Sequence, residues 1–133
     1  CADRAGELLK SVSNDLYERR NVLASSLPQA DRRRLEIARA LASEPKIVLL
    51  DEPSSGMDDR DTDSLIVDIQ RLRDQNPSLG FIIIEHDMRL IATLPDRVMV
   101  LDYGRKIGDD TFEVVRQLPR VQEAYLGRKA SHA

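Results

Sequence analysis

Two short apolar runs in this chain end in clusters of carboxylates. Ile47 to Leu50 leads into Asp51-Glu52-Pro53, and Phe81 to Ile84 leads into Glu85-His86-Asp87. Adjacent carboxylates at the end of a buried strand are costly unless something there needs negative charge, and a magnesium nucleotide is a common reason. A solvated strand end is the plain alternative for either pair alone; two loaded ends in one sheet weigh against it. His86, two residues beyond a strand, stands where a side chain can sense phosphate or a proton. Asp59, Asp61 and Asp63 imitate positions 1, 3 and 5 of a calcium loop, with Ile66 at the eighth. Ser64 stands where the sharp-turn glycine belongs and Gln70 where the bidentate glutamate belongs, so the segment reads as the acidic first turn of a helix. Arg32, Arg33, Arg34 and Arg39 form the basic cluster, which without interleaved aromatics reads as a solvated helix face rather than a nucleic-acid site. Cys1 is a lone thiol.

These groups need elements to hold them. Leu8, Leu9, Val12 and Leu16 fall at helical spacing, with a break near Ser13-Asn14-Asp15, and predict one or two short surface helices over 2–24. Ser25-Ser26-Leu27-Pro28 reads as a loop with an N-cap before a helix over 31–43, whose apolar stripe is Leu35, Ala38, Leu41 and Ala42. Residues 47–50 predict a strand covered on both faces, because the run does not alternate. A polar loop from Pro53 to Asp59 precedes a helix over 61–74 with Leu65, Ile69 and Leu72 on one face, and a second strand follows at 81–84. A helix near 88–93 leads to a third strand, Val98 to Leu101. Strand, helix, strand, helix, strand predicts an α/β layer with a parallel sheet. Tyr103-Gly104-Arg105 reads as a hairpin turn, and short helices near 111–117 and 119–126 close the chain.

A chain of 133 residues with 41% hydrophobic and 32% charged residues can bury one core of ordinary size, and wholesale disorder is excluded. A net charge of −3 gives no overall attraction to nucleic acid or an anionic membrane. One cysteine rules out an intrachain disulfide framework and fits a reducing compartment. Aliphatic runs of four residues are far below the ~20 needed to span a bilayer.

The stretches LPQADRRRLEIARALASEPKIVLLDEPSSGMDD and FIIIEHD resemble the second half of an ABC transporter ATPase, in the order signature loop, helix, Walker B strand with its glutamate, D-loop and switch histidine. LEIARALA, Gly56-Met57 and the ending LDYGRKIGDDTFEVVRQLPRVQEAYLG are most similar to the branched-chain amino acid importer subgroup. The resemblance covers nearly the whole chain. It implies the C-terminal part of a P-loop (RecA-like) ABC ATPase domain: an α/β fold with a parallel sheet, flanking helices and part of the helical subdomain. Residues 1–44 would be the end of that subdomain with the signature loop and its helix; residues 45–133 would be the Walker B, D-loop and H-loop half of the core with the C-terminal helices.

The resemblance also implies roles. Asp51 would hold Mg²⁺ largely through water, Glu52 would be the general base that orients the attacking water, and His86 would contact the γ-phosphate. Asp58 matches the D-loop aspartate that crosses to another subunit. Leu27, Pro28, Gln29, Ala30 and Asp31 occupy the signature loop, which donates backbone N–H groups to the γ-phosphate of ATP on the opposite subunit. The family has glycine then glutamine where this chain has Ala30 and Asp31, so a Cβ and a negative charge are expected beside that phosphate. None of the six glycines belongs to a P-loop, since none is followed by lysine. The family's sheet puts the P-loop strand between the strands at 81–84 and 98–101, so the chain reads as a fragment or truncated product, inactive alone.

ATP and Mg²⁺ are the implied cofactors. The implied partners are a second ATPase subunit and transmembrane permeases, with no nucleic acid, at the cytoplasmic face of the plasma (inner) membrane. Two other readings stand beside the importer: a degenerate cassette acting as a non-hydrolysing interaction module, and the ATPase head of a chromosome or DNA-repair protein.

Overall fold

A computed structural model describes residues 2–131, so Cys1 lies outside the described residues. The chain forms two compact units, one up to Leu90 and one from Ile91 onward.

In the first unit, α1 (Ala2–Val12) and α2 (Asn14–Glu18) are separated at Ser13, whose hydroxyl accepts from the Leu16 amide and caps α2. The expected break is therefore a cap. A 3₁₀ turn (Ala24–Ser26) precedes α3 (Gln29–Leu41), and Pro28 rather than a serine takes the N-cap position, offering no side-chain acceptor. The buried face of α3 also differs from the apolar stripe. Ala30, Asp31, Arg34, Ile37 and Ala38 are buried, while Leu35 and Leu41 are half-buried and Ala42 is exposed. Asp31 and Arg34 pair with each other at i,i+3 and so can enter the interior together.

Next come β1 (Ile47–Asp51), α4 (Asp59–Gln75), β2 (Gly80–Ile84) and α5 (Met88–Thr93). Strands β1 and β2 pair in parallel, with Ile47 opposite Gly80 and Asp51 opposite Ile84. Leu65, Ile69 and Leu72 of α4 are buried, as their spacing predicts. Helix α1 packs against α2, α3 and α4. The sheet departs from expectation in one respect. Val48 and Leu50 are buried, but on the other face Ile47, Leu49, Ile82 and Ile84 are 56%, 72%, 54% and 61% exposed. A non-alternating apolar run looks the same in sequence whether one face is covered or both.

The second unit contains β3 (Val98–Asp102), β4 (Arg105–Asp110), α6 (Phe112–Val115) and α7 (Pro119–Ser131). Here the expected hairpin forms: β3 pairs antiparallel with β4, from Val98 opposite Asp110 to Asp102 opposite Arg105. The cause is the two-residue turn between them. Tyr103 and Gly104 have φ of +45° and +75°, and two successive positive φ values match the turn that suits strand twist in a tight hairpin. Helix α6 packs on both strands and α7 on β4. Among the described residues, no helix is long and apolar enough to cross a membrane.

Candidate functional site

The parallel ladder of β1 and β2 delivers both acidic clusters to the same end of the sheet. It runs one step past Asp51, because the Glu52 amide donates to the Ile84 carbonyl at 2.8 Å. Glu52 then turns the chain with φ of +45°, a left-handed conformation that a side chain other than glycine adopts at a cost. Such outliers persist where surrounding structure imposes them, and they cluster at functional sites. Glu52 Oε1 lies 3.7 Å from Nδ1 of His86, with the two side chains 53% and 78% exposed. The two groups face a shared, open position at the carboxyl ends of parallel strands, where ligands of such sheets bind. Asp51 is exposed beside them, lining a cleft of about 190 Å³ with Arg33, Ile37, Ala40 and Leu49.

Behind this pair lies Glu85, whose side chain is 1% exposed. Its Oε1 accepts from the Ser54 amide (2.8 Å) and hydroxyl (2.5 Å), and its Oε2 accepts from the amides of His86 (2.9 Å) and Asp87 (3.2 Å). Burial pushes its carboxyl up, but these hydrogen bonds outweigh burial and hold it below the usual glutamate range. The Pro53 carbonyl accepts from Arg33 Nε at 3.1 Å, so α3 grips the same turn from another side. Neither Glu85 nor Ser54 stands out as a site residue from sequence; the signal was a third acidic residue at the second strand end. Asp87 caps α5 by accepting from the Arg89 amide (2.9 Å), and the Arg89 guanidinium, with burial opposing it, lowers the Asp87 carboxyl pKa. Arg89 also meets Asp59 (3.0 Å) and Asp63 (3.6 Å), so the acidic first turn of α4 faces an arginine.

The five residues matched to the signature loop divide in two. Pro28 and Gln29 are exposed, and Gln29 accepts from Arg32 at 3.0 Å; Leu27, Ala30 and Asp31 are buried. Asp31, expected to place negative charge beside a phosphate, is buried in the helical layer. Asp31 Oδ2 accepts from Arg19 at 2.6 Å and Oδ1 from Arg34 at 3.1 Å. Its charge is neutralised inside the helical layer. Ala30 lies in the first turn of α3, where its Cβ causes no backbone strain. Arg34 also donates to Asp68 (2.6 Å) and Ser64 (2.6 Å), and Arg71 joins Asp68 (3.1 Å) to the Val12 carbonyl. Burial works against the Arg34 charge, but Asp68 and Asp31 more than offset it and raise its pKa. Arg33 and Arg34 are thus structural hubs rather than a solvated face. Asp58 is exposed and caps α4, accepting from the Asp61 amide at 2.8 Å. The turn before it needs φ of +76° at Gly56, and a Cβ built there would lie 3.9 Å from Gln29 Nε2, which brings these two loops together.

The family model described as ABC transporter matches residues 1–55. The chain is 39% identical over 125 residues to the high-affinity branched-chain amino acid transport ATP-binding protein LivG of Escherichia coli, covering 94% of this chain and 48% of LivG. It is 36% identical over 125 residues to the lipopolysaccharide export system ATP-binding protein LptB of the same organism, covering 94% of this chain and 50% of LptB. A crystal structure of the ADP conformation of an ATP-binding cassette of an ABC transporter superposes with a TM-score of 0.78 at 25% identity, over 94% of this chain and 49% of that one. The chain spans about half the length of the relatives it matches. Over nearly all of its length the chain is similar to the C-terminal half of ABC transporter ATP-binding cassettes.

Proposed function

We propose that these residues form the Walker B, D-loop, switch-histidine and signature-loop part of an ATP-hydrolysing importer subunit. The observation that carries this reading is the pair Glu52 and His86, delivered by two parallel strands to one open position 3.7 Å apart. Glu52 acts as general base, polarising a water toward the γ-phosphate, and His86 contacts that phosphate and registers its loss. Among the described residues no group of three or more side chains forms a metal cage. A hard cation bound by one or two carboxylates, water and substrate phosphates needs no such cage, so Asp51 fits as the residue that would hold Mg²⁺. Bound there, Mg²⁺–ATP supplies the electrophilic phosphorus and neutralises charge on the phosphate oxygens.

The N-terminus of α3 has no side-chain cap, which supports residues 27–31 as an anion-facing loop toward ATP on a second ATPase subunit, with Asp58 beside that boundary. In this reading residues 1–44 close the helical subdomain and residues 45–133 belong to the catalytic core. The subunit sits on the cytoplasmic face of the inner membrane beneath permease partners. The proposed cargo class is branched-chain amino acids, on the 39% identity to LivG and the resemblance of the LEIARALA segment to that subgroup. The inward pairing of Asp31 with Arg19 and Arg34 weakens one of the features that favour a non-hydrolysing remnant.

The test is Glu52→Gln in the full protein that supplies a P-loop half beside these residues. Hydrolysis is expected to fall ~10²-fold or more, while ATP binding measured by calorimetry persists. Turnover at the wild-type rate would remove Glu52 from the mechanism.

A further inference from the structure

We propose that Glu85 is a positioning residue that ties the turn carrying Glu52 to the loop carrying His86. The proposal rests on the reading of Glu52 and His86 as the nucleotide-facing pair. Their side chains are 3.7 Å apart and largely exposed, so no hydrogen bond between them sets their separation. It is set by their backbones, and one buried carboxylate holds both. Oxygen Oε1 serves Ser54, two residues after Glu52, and Oε2 serves the amides of His86 and Asp87. Four donors converge on two oxygens, and only an ionised carboxylate presents that many acceptor sites with no donor of its own. Because those bonds hold the Glu85 carboxyl below the usual glutamate range, it stays ionised at neutral pH.

A glutamine of the same shape has one acceptor oxygen and one NH₂ group, which would point donors at donors. It can satisfy the Ser54 side or the His86 side, but not both. This asymmetry separates a clamp from simple packing. Removing the clamp lets the general base and the histidine drift relative to one another, and a displacement of about 1 Å can cost ~10²-fold in rate.

The experiment uses the full protein with its P-loop half, as wild type and as Glu85→Ala, Glu85→Gln and Ser54→Ala. Amide hydrogen exchange is resolved at Ser54, His86 and Asp87, and kcat and KM are measured for Mg-ATP. In Glu85→Ala all three amides should exchange about tenfold faster or more, with kcat reduced ~10²-fold and KM unchanged within about twofold. Glu85→Gln should release one segment and spare the other, and Ser54→Ala should give the mildest loss of kcat. Unchanged exchange at the buried α4 positions Leu65 and Ile69 verifies folding; if Glu85→Ala fails it, the one-sided release in Glu85→Gln decides. Wild-type exchange at all three amides in the variants, or released amides with unchanged kcat, overturns the proposal. If the wild type does not hydrolyse ATP, or Glu52→Gln has no effect, the functional reading fails, while exchange still decides whether Glu85 joins the two loops.

Discussion

Single residues in this chain carry conformations and charges that their types alone would not suggest. Tyr103 is the plainest case: it is 96% exposed, yet it occupies the first left-handed position of the β3–β4 turn with φ of +45°. The side chain returns nothing for that conformation, whereas asparagine tolerates it and is favoured in such turns. Tyr103→Asn should therefore stabilise the second unit by ~0.5–1 kcal/mol, seen as a rise of a few degrees in the melting midpoint; a fall would mean the turn is not strained. Asp109 shows the charge side. Arg97 Nε at 2.6 Å and Lys106 Nζ at 2.8 Å hold its carboxyl down to about 2. Its unfolded value is about 3.9. A depressed native pKa means the stabilisation is present above pH ~4 and is lost as pH falls from there through about 2. A carboxyl-carbon NMR titration should place the Asp109 midpoint near that value, and Arg97→Gln should move it up toward the ordinary aspartate range.

At the scale of elements, the helical layer is organised by ions as much as by aliphatic packing. Arg34 of α3 joins Asp31 in its own helix to Asp68 of α4, with side chains only 9%, 7% and 11% exposed. Removing one member of such a set leaves charges buried without their partner. Arg34→Met should cost ~3 kcal/mol in urea unfolding of the full protein, moderated because Arg19 and Arg71 still reach Asp31 and Asp68. Asp31→Gln should cost less, since Arg34 keeps Asp68; a gain in stability from either substitution would show the cluster to be dispensable. This layer also marks the limit of what the sequence could tell. The stripe Leu65, Ile69 and Leu72 and the two strand ends were legible because they depend on spacing along one segment. Asp31 was not, because its fate depends on Arg19 and on an arginine that in turn needs Asp68, 37 residues further on in the chain than Asp31 itself. The β3–β4 hairpin was legible too, because the Tyr103-Gly104 turn that makes it is a local signal. Asp51, Glu52 and His86 stand out as candidates by their places after apolar runs, whereas the proposed Glu85 clamp needs three dimensions because its donors come from two segments 31 residues apart.

At the scale of the 133-residue chain, the sheet face formed by Ile47, Leu49, Ile82 and Ile84 has a thermodynamic consequence. Those side chains are more than half exposed in the folded chain. They are wetted in the native and the unfolded states alike, so unfolding adds little new apolar hydration there. The heat capacity of unfolding depends on that added hydration, and a domain of this length ordinarily shows about 1.6–2 kcal/mol/K. Scanning calorimetry of the 133-residue chain should give a smaller value, and a value at or above that range would mean the face is covered in solution. A smaller heat capacity flattens the dependence of stability on temperature, so cooling below room temperature should weaken this chain less than it weakens a fully covered domain of equal length.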